Sequence, residues 1–183
     1  MKEEWRKVKG FPLYEVSNTG SVRRIGNSWP LSPKMAKGGA WFVKLSMGGP
    51  PISKTIKSLV AEAFVPRPEG CDPELWDTPV QLVVDTDVIR ADKIVWRPRW
   101  FAIQFRRQIN ECDTLHYWDQ PVMNLNTGNQ HASILTASLH DGTLMKDIYR
   151  SAGEGRATFP DGYRYDFLFR LKQGFGSVHD FGV

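Results

Sequence analysis

The first 115 residues of the chain contain no histidine; the four present are His116, His131, His140 and His179. The side chain that most often takes a proton from water near neutral pH is therefore missing from that stretch, which excludes histidine-based hydrolysis there. Cysteine is nearly as scarce. Cys71 and Cys112 stand far apart, in none of the spacings that bind zinc or run redox exchange. They read as free thiols of a reducing cytoplasm, with a disulfide between them as the alternative. No apolar run approaches the roughly 18 residues of a membrane-spanning helix. The opening MKEEWRKVKG lacks the apolar core of a signal peptide. The expectation is a cytoplasmic chain with no membrane partner. No low-complexity tract and no repeated unit occurs, which excludes a solenoid.

What is present can build a core. The 183 residues are 41% hydrophobic and 12% aromatic, with seven tryptophans, enough for one large domain or two to three small modules. The net charge of +4 is unevenly spread: residues 1–70 hold 12 Lys and Arg against 5 acids, and residues 71–183 hold 12 against 15. A basic end suits a polyanion, because phosphate contacts come from lysine and arginine. An ordinary solvated surface would carry the same imbalance.

Residues 12–24, PLYEVSNTGSVRR, read as strand, tight turn and strand, with Val and Tyr favouring strands and Ser-Asn-Thr-Gly making the turn. Strands at 40–46 and near 51–56 repeat the pattern around Gly-Gly-Pro-Pro. A helix then runs from about Lys57 to Phe64, with Leu59, Val60, Ala63 and Phe64 on one face, and Pro66 and Pro68 stop it. Residues 1–66 are thus expected to form one twisted antiparallel sheet backed by one helix. Residues 67–79 read as a loop, 80–84 as a strand, and 100–112 as a helix with Phe101, Phe105 and Ile109 on one side. Further on, 120–126 read as a strand and 132–152 as helix, turn, helix, broken at Gly142 and capped again by Thr143. Residues 161–171 read as a closing strand. The expected class is α+β, in segments 1–66, 67–112 and 113–183.

The residues of the first segment carry a resemblance. EEWRKVKGFPLYEVSNTGSVRR resembles the N-terminal nuclease-associated modular motif of phage homing endonucleases of the HNH class, with Trp5, Tyr14, Val16, Ser17, Asn18, Gly20, Val22 and Arg23 in the family's order. SLVAEAFVPRPEG resembles the helix that precedes the family's catalytic unit. Residues 121–167 resemble a second modular motif, a helix-turn-helix DNA-binding unit. Its marks are Pro121-Val122, Thr127-Gly128, Ser133, Ala137, Ile148 and Gly162-Tyr163-Arg164. The resemblance implies double-stranded DNA as partner. It implies phosphate contacts from Arg23 and Arg24, pointing outward beyond a turn that Asn18 and Gly20 permit. Lys34, Lys37, Lys44, Lys54 and Lys57 would extend that surface. Lys146 and Arg150, four apart on the second helix of the pair, would meet phosphates or base edges, with Leu144, Met145 and Ile148 packing inward. Read without the resemblance, Arg23 and Arg24 are a solvated strand end, and Lys146 and Arg150 an exposed helix face.

The chain departs from the family at the catalytic centre. The resembled enzymes need a histidine base and a metal-ligating asparagine. Here the histidine position falls on Gln81 or Val83, the asparagine position on Lys93, and only Trp96 of the pattern survives. Lys57-Ser58 stands where His-Arg is usual. Asp85, Asp87 and Asp92 are of the type that ligates Mg²⁺, although acids in a turn-rich stretch are commonly solvated. The leading expectation is a non-catalytic DNA-binding protein of phage type, a regulator or adaptor, with no catalytic residues, no metal and no cofactor. One alternative is a protein-interaction subunit of a phage, virion or host complex, served by the tryptophans and by six acids against Arg90 in 72–92. The other is a surviving Mg²⁺-dependent endonuclease with an unusual base.

Overall fold

Alternation places Tyr14 and Val16 under cover on one face of the strand Phe11–Ser17, and Phe11 is buried at its start. In the computed structural model, which describes residues 2–82, 89–111 and 118–172, strands β1 (Trp5–Val8), β2 (Phe11–Ser17) and β3 (Val22–Arg24) form an antiparallel sheet in that order. Lys7 lies opposite Glu15, Glu15 opposite Arg23, and Val16 opposite Val22. Strands β4 (Lys34–Met35), β5 (Trp41–Leu45) and β6 (Ile52–Thr55) form a second antiparallel sheet. The single sheet expected over residues 1–66 is therefore two. Pro30 and Pro33 lie between them; proline has no N–H to give a ladder, so pairing cannot run continuously through the connection.

Helix α1 (Ile56–Phe64) starts one residue before the position read from sequence, because the Thr55 hydroxyl accepts the Ser58 N–H at 3.3 Å as its N-cap. It buries Ile56, Leu59, Val60 and Ala61. It stops at Val65, which is extended ahead of Pro66 as the residue before a proline prefers. Strands β7 (Thr78–Gln81) and β8 (Ile94–Arg97) pair antiparallel, with a 3-10 turn at Ala91–Lys93 leading into β8. Ile94 and Trp96 join the core of both sheets and α1.

The contacts divide the chain into residues 1–99 and 100–183, so the segment read as 67–112 contributes to both units. In the second unit, helix α2 (Arg99–Glu111, all but its first residue) buries Phe101 and half-buries Phe105, stacked at 5.6 Å, while Ile109 is open to solvent. Strands β10 (Gln130–His131), β9 (Val122–Asn124) and β11 (Tyr165–Phe167) form a small antiparallel sheet. Helices α3 (Ile134–Asp141) and α4 (Met145–Glu154) pack on it through Ile134, Ala137, Met145, Ile148 and Ala152. Ser133 begins α3 with a reciprocal capping box to Thr136, and Gly142 ends it at φ 80°.

Two local expectations are corrected here. Thr143 does not cap α4; Leu144 holds that position without a side-chain bond, and buried Thr143 gives its hydroxyl to Asp161. The closing strand is three residues long, not eleven, and helix α5 (Leu168–Lys172) follows it. Phe167 pairs with Val122, and the next partner is Pro121, which offers a carbonyl to the Leu168 N–H at 3.0 Å but no donor in return. Among the described residues no helix is long and apolar enough to cross a membrane.

Candidate nucleic-acid interface

The motif that carries the resemblance turns out to be mostly scaffold. Asn18 does not need an unusual backbone, since only glycines among the described residues have positive φ. Its amide instead ties down the N-terminal segment, accepting from the Glu4 N–H at 3.1 Å and donating to the Lys2 carbonyl at 2.9 Å. The Ser17 hydroxyl accepts the N–H groups of Thr19 and Ser21, and the Tyr14 hydroxyl accepts that of Ser46. Gly20 is required twice over. Its φ is +90°, and a Cβ there would stand 2.8 Å from the Ile89 carbonyl oxygen.

The two arginines after the turn are placed differently. Arg23 does not project freely: its Nε donates to Glu15 at 2.5 Å and its guanidinium lies 3.9 Å from the centre of the Trp5 ring, leaving 28% of the side chain exposed. Arg24 is exposed and has no side-chain hydrogen bond or ion pair among the described residues. In the second sheet Lys34 lies opposite Phe42, and Lys44 follows two residues on, so these two lysines share one face. Lys37 is exposed in the β4–β5 connection. Lys54, opposite Val43, faces the other way and is half-buried with its ammonium 6.0 Å from the Phe11 ring. Lys57 is half-buried in the first turn of α1. Sequence reasoning missed Lys7 and Trp5 as the neighbours of Arg23; strand alternation contains that signal, since Lys7, Glu15 and Arg23 are successive cross-strand partners.

In the second unit, α4 turns Met145 and Ile148 inward as expected, while Leu144 is only half-buried at the cap. Lys146, Tyr149, Arg150 and Gly153 follow one another at helical spacing along its other side. Lys146 is tied to α2: its N–H donates to the Gln108 side chain at 3.3 Å, and its ammonium stands 3.6 Å from Glu111, with 51% of the side chain exposed. The Glu111 carboxyl is held below its ordinary range, mainly by the hydrogen bond from Arg107. Arg150 is exposed and makes no hydrogen bond or ion pair among the described residues. Asp147, beside it, has its carboxyl pushed up by burial and by Asp161, against the pull of Arg150.

Behind this helix lies a polar network that the sequence did not announce. Asp141 accepts from the Asn124 amide at 3.0 Å and the Tyr165 hydroxyl at 2.8 Å. His131 Nε2 stands 3.2 Å from the same carboxylate, near enough for attraction but out of line for a hydrogen bond. Burial alone would raise the Asp141 carboxyl; His131, Asn124 and Tyr165 outweigh it and hold the group below its ordinary value. Burial, helped by Asp141 itself, pushes the Tyr165 phenol up, so it stays protonated as a donor.

Of the positions that the sequence aligns with a nuclease centre, Gln81 lies opposite Ile94 in the β7–β8 ladder, and Lys93 closes the 3-10 turn, giving its carbonyl to the Leu82 N–H at 2.8 Å. Trp96 is structural: its Nε1–H donates to the Val65 carbonyl at 2.9 Å, bolting β8 to the end of α1, and Arg67 lies 4.2 Å over its ring. Asp92 is held by Arg90 through two bonds of 3.0 Å. Val83, Asp85, Asp87, Cys112, His116 and His179 lie outside the described residues. Cys71 is a free, half-buried thiol. Among the described residues no three His, Cys, Asp or Glu side chains cluster closely enough to hold a metal ion.

With this geometry in view, comparison with known proteins gives a match within the first unit. Residues 3–46 match the NUMOD4 motif, from the segment before β1 to the residue after β5, and the match contains all of the Trp5–Arg23 core. No curated protein matches the chain. Among solved structures the chain is similar to the HNH homing endonuclease I-HmuI, described for its DNA binding and cleavage. The identity is 20%, over 90% of this chain and 97% of that one, with a TM-score of 0.49.

Proposed function

We propose that this chain is a DNA-binding protein on a homing-endonuclease-type scaffold, holding duplex DNA as a regulator or adaptor without cutting it. The observation that carries this reading is the NUMOD4 match over residues 3–46, on a unit whose surface exposes Arg24, Lys34, Lys37 and Lys44. Those side chains would meet phosphates, releasing counterions and giving affinity that falls with salt. The paired helices α3 and α4 would act as a helix-turn-helix, with Arg150 and Tyr149 reaching the groove and Lys146 freed from Glu111 to follow. A non-cutting role is favoured by the absence of histidine before residue 116, by Lys93 at the metal-ligand position, and by Arg90 occupying Asp92.

The test is a mobility-shift titration of the full chain on random duplex DNA at two salt concentrations. Retention that weakens steeply with salt supports the reading; no retention at low salt refutes it. A protein-interaction role is the second reading, favoured by Trp29, which is 84% exposed in the connection between the two sheets of the first unit. It expects the Trp29→Ala chain to lose a protein partner while DNA retention is absent in the parent as well.

A further inference from the structure

The turn at residues 158–163 of the second unit presents an apolar tip for which the DNA-holding role above, taken alone, has no use. Phe159 is 84% exposed and Pro160 is exposed beside it. Single exposed apolar residues are common and need no function; this one differs in how it is held. The Thr158 N–H donates to the Tyr163 carbonyl at 2.7 Å, and the Gly162 N–H to the Thr158 carbonyl at 2.9 Å. The Thr158 hydroxyl, on a buried residue, donates to Asp161 at 2.7 Å. The other oxygen of Asp161 accepts the hydroxyl of buried Thr143, in the turn between α3 and α4. The tip is thus braced to the helix pair, and each oxygen of its one carboxylate, on the exposed residue Asp161, accepts a hydroxyl. The largest side chain it exposes is apolar, and it is flanked in sequence by two exposed arginines, Arg156 and Arg164. Among the described residues Arg156 meets only Glu154, at 3.2 Å on the open surface, a pairing that solvent and phosphate readily exchange.

We propose that Phe159, with Pro160, is a wedge that enters between stacked base pairs of duplex DNA and kinks it, while Arg156 and Arg164 hold the phosphates on either side. The inference rests on the DNA-binding reading and adds to it a mode of deformation. Apolar wedges of this kind unstack a base step, and the energy they need falls where stacking is already weak. The wedge must be rigid, because a tip that bent away would lose the stacking it replaces. The Asp161 brace supplies that rigidity. A protein partner fits less well, since an apolar contact flanked by two like charges and no free acid favours a polyanion.

The experiment uses the full chain on two end-labelled duplexes of one sequence, one perfectly paired and one with a central mismatch. Energy transfer between the ends reads bending, and titration reads affinity. The parent is expected to bend the duplex and to prefer the mismatched one by about tenfold. Phe159→Ala should abolish both effects and leave the salt dependence of binding unchanged, while Phe159→Leu should keep most of each. Matching melting temperatures confirm that the variants fold, as the exposure of Phe159 leads one to expect. If the parent binds DNA and Phe159→Ala bends and discriminates as the parent does, the wedge is refuted and the DNA-binding reading stands. If the parent binds neither duplex, that reading fails and the wedge fails with it.

Discussion

At the scale of single residues, neighbouring arginines have been given different work. Arg23 lies on Trp5 and is bound to Glu15, so its replacement is felt first in the fold. Arg23→Ala should lower stability by about 1 kcal/mol, the worth of a partly exposed ion pair and cation–π contact together, as read by thermal melting. Arg24→Ala should leave melting unchanged and instead flatten the salt dependence of duplex binding by about one unit, the share of one phosphate contact. The reverse pattern would mean that Arg23 swings off Trp5 to meet DNA. Asp141 gives a pH signature. Its carboxyl is held below the ordinary value near 4, so the stability it contributes is complete above that pH. That contribution is lost as pH falls through the lowered value of the folded state. Melting of the parent should therefore drop below about pH 4 more steeply than melting of Asp141→Asn, which should start lower and vary less. Parallel curves would show that Asp141 contributes nothing through its charge.

At the scale of elements, α4 carries a glycine with no evident packing reason. Gly153 sits in helical backbone, and a Cβ there would meet nothing within 4 Å. Gly153→Ala should raise stability by roughly 0.5–1 kcal/mol. If α4 also lies against DNA, the same variant should bind less well although it folds better, whereas a helix that merely faces solvent would gain stability at no cost to binding. Ile148→Asp should instead unfold the second unit, because it places an unpaired charge at a fully buried position; loss of cooperative melting checks this. The helices were legible because their apolar spacing and stops are local: Leu59 and Val60 before Pro66, Ala137 and Ile148 around Gly142. What stayed hidden depends on residues distant in sequence. Thr143 turning to Asp161 rather than capping α4, and the shortening of the last strand at Pro121, are each decided by a partner 18 or more residues away; the split into two sheets turns on Pro30 and Pro33, whose effect on pairing shows only once the strands they separate are known. In the candidate interface, the basic residues were legible as a set. Which of them lie free was not, because Glu15, Trp5 and Glu111 claim theirs through pairing that composition does not reveal.

At the scale of the whole molecule, the question is whether the protein cuts DNA. Incubation of supercoiled plasmid with highly pure protein and Mg²⁺ or Mn²⁺ is expected to give no nicked product, since no histidine precedes residue 116 and Lys93 would place positive charge where a cation should sit. Nicking that vanishes in Asp85→Ala or Asp87→Ala would overturn this and restore the endonuclease reading.

The close approach of Ile89 over Gly20, with the Ala91 N–H donating to the Asn18 carbonyl at 2.9 Å, bears on how such a unit could be inherited. The turn that gives residues 3–46 their recognisable pattern is completed by chain from more than forty residues beyond its end. A recombination event that transplanted the recognisable stretch alone would move a hairpin whose apolar roof and one backbone partner had been left behind. The stretch of chain that completes this turn is therefore larger than the stretch that sequence comparison matches, and reaches at least to Ala91.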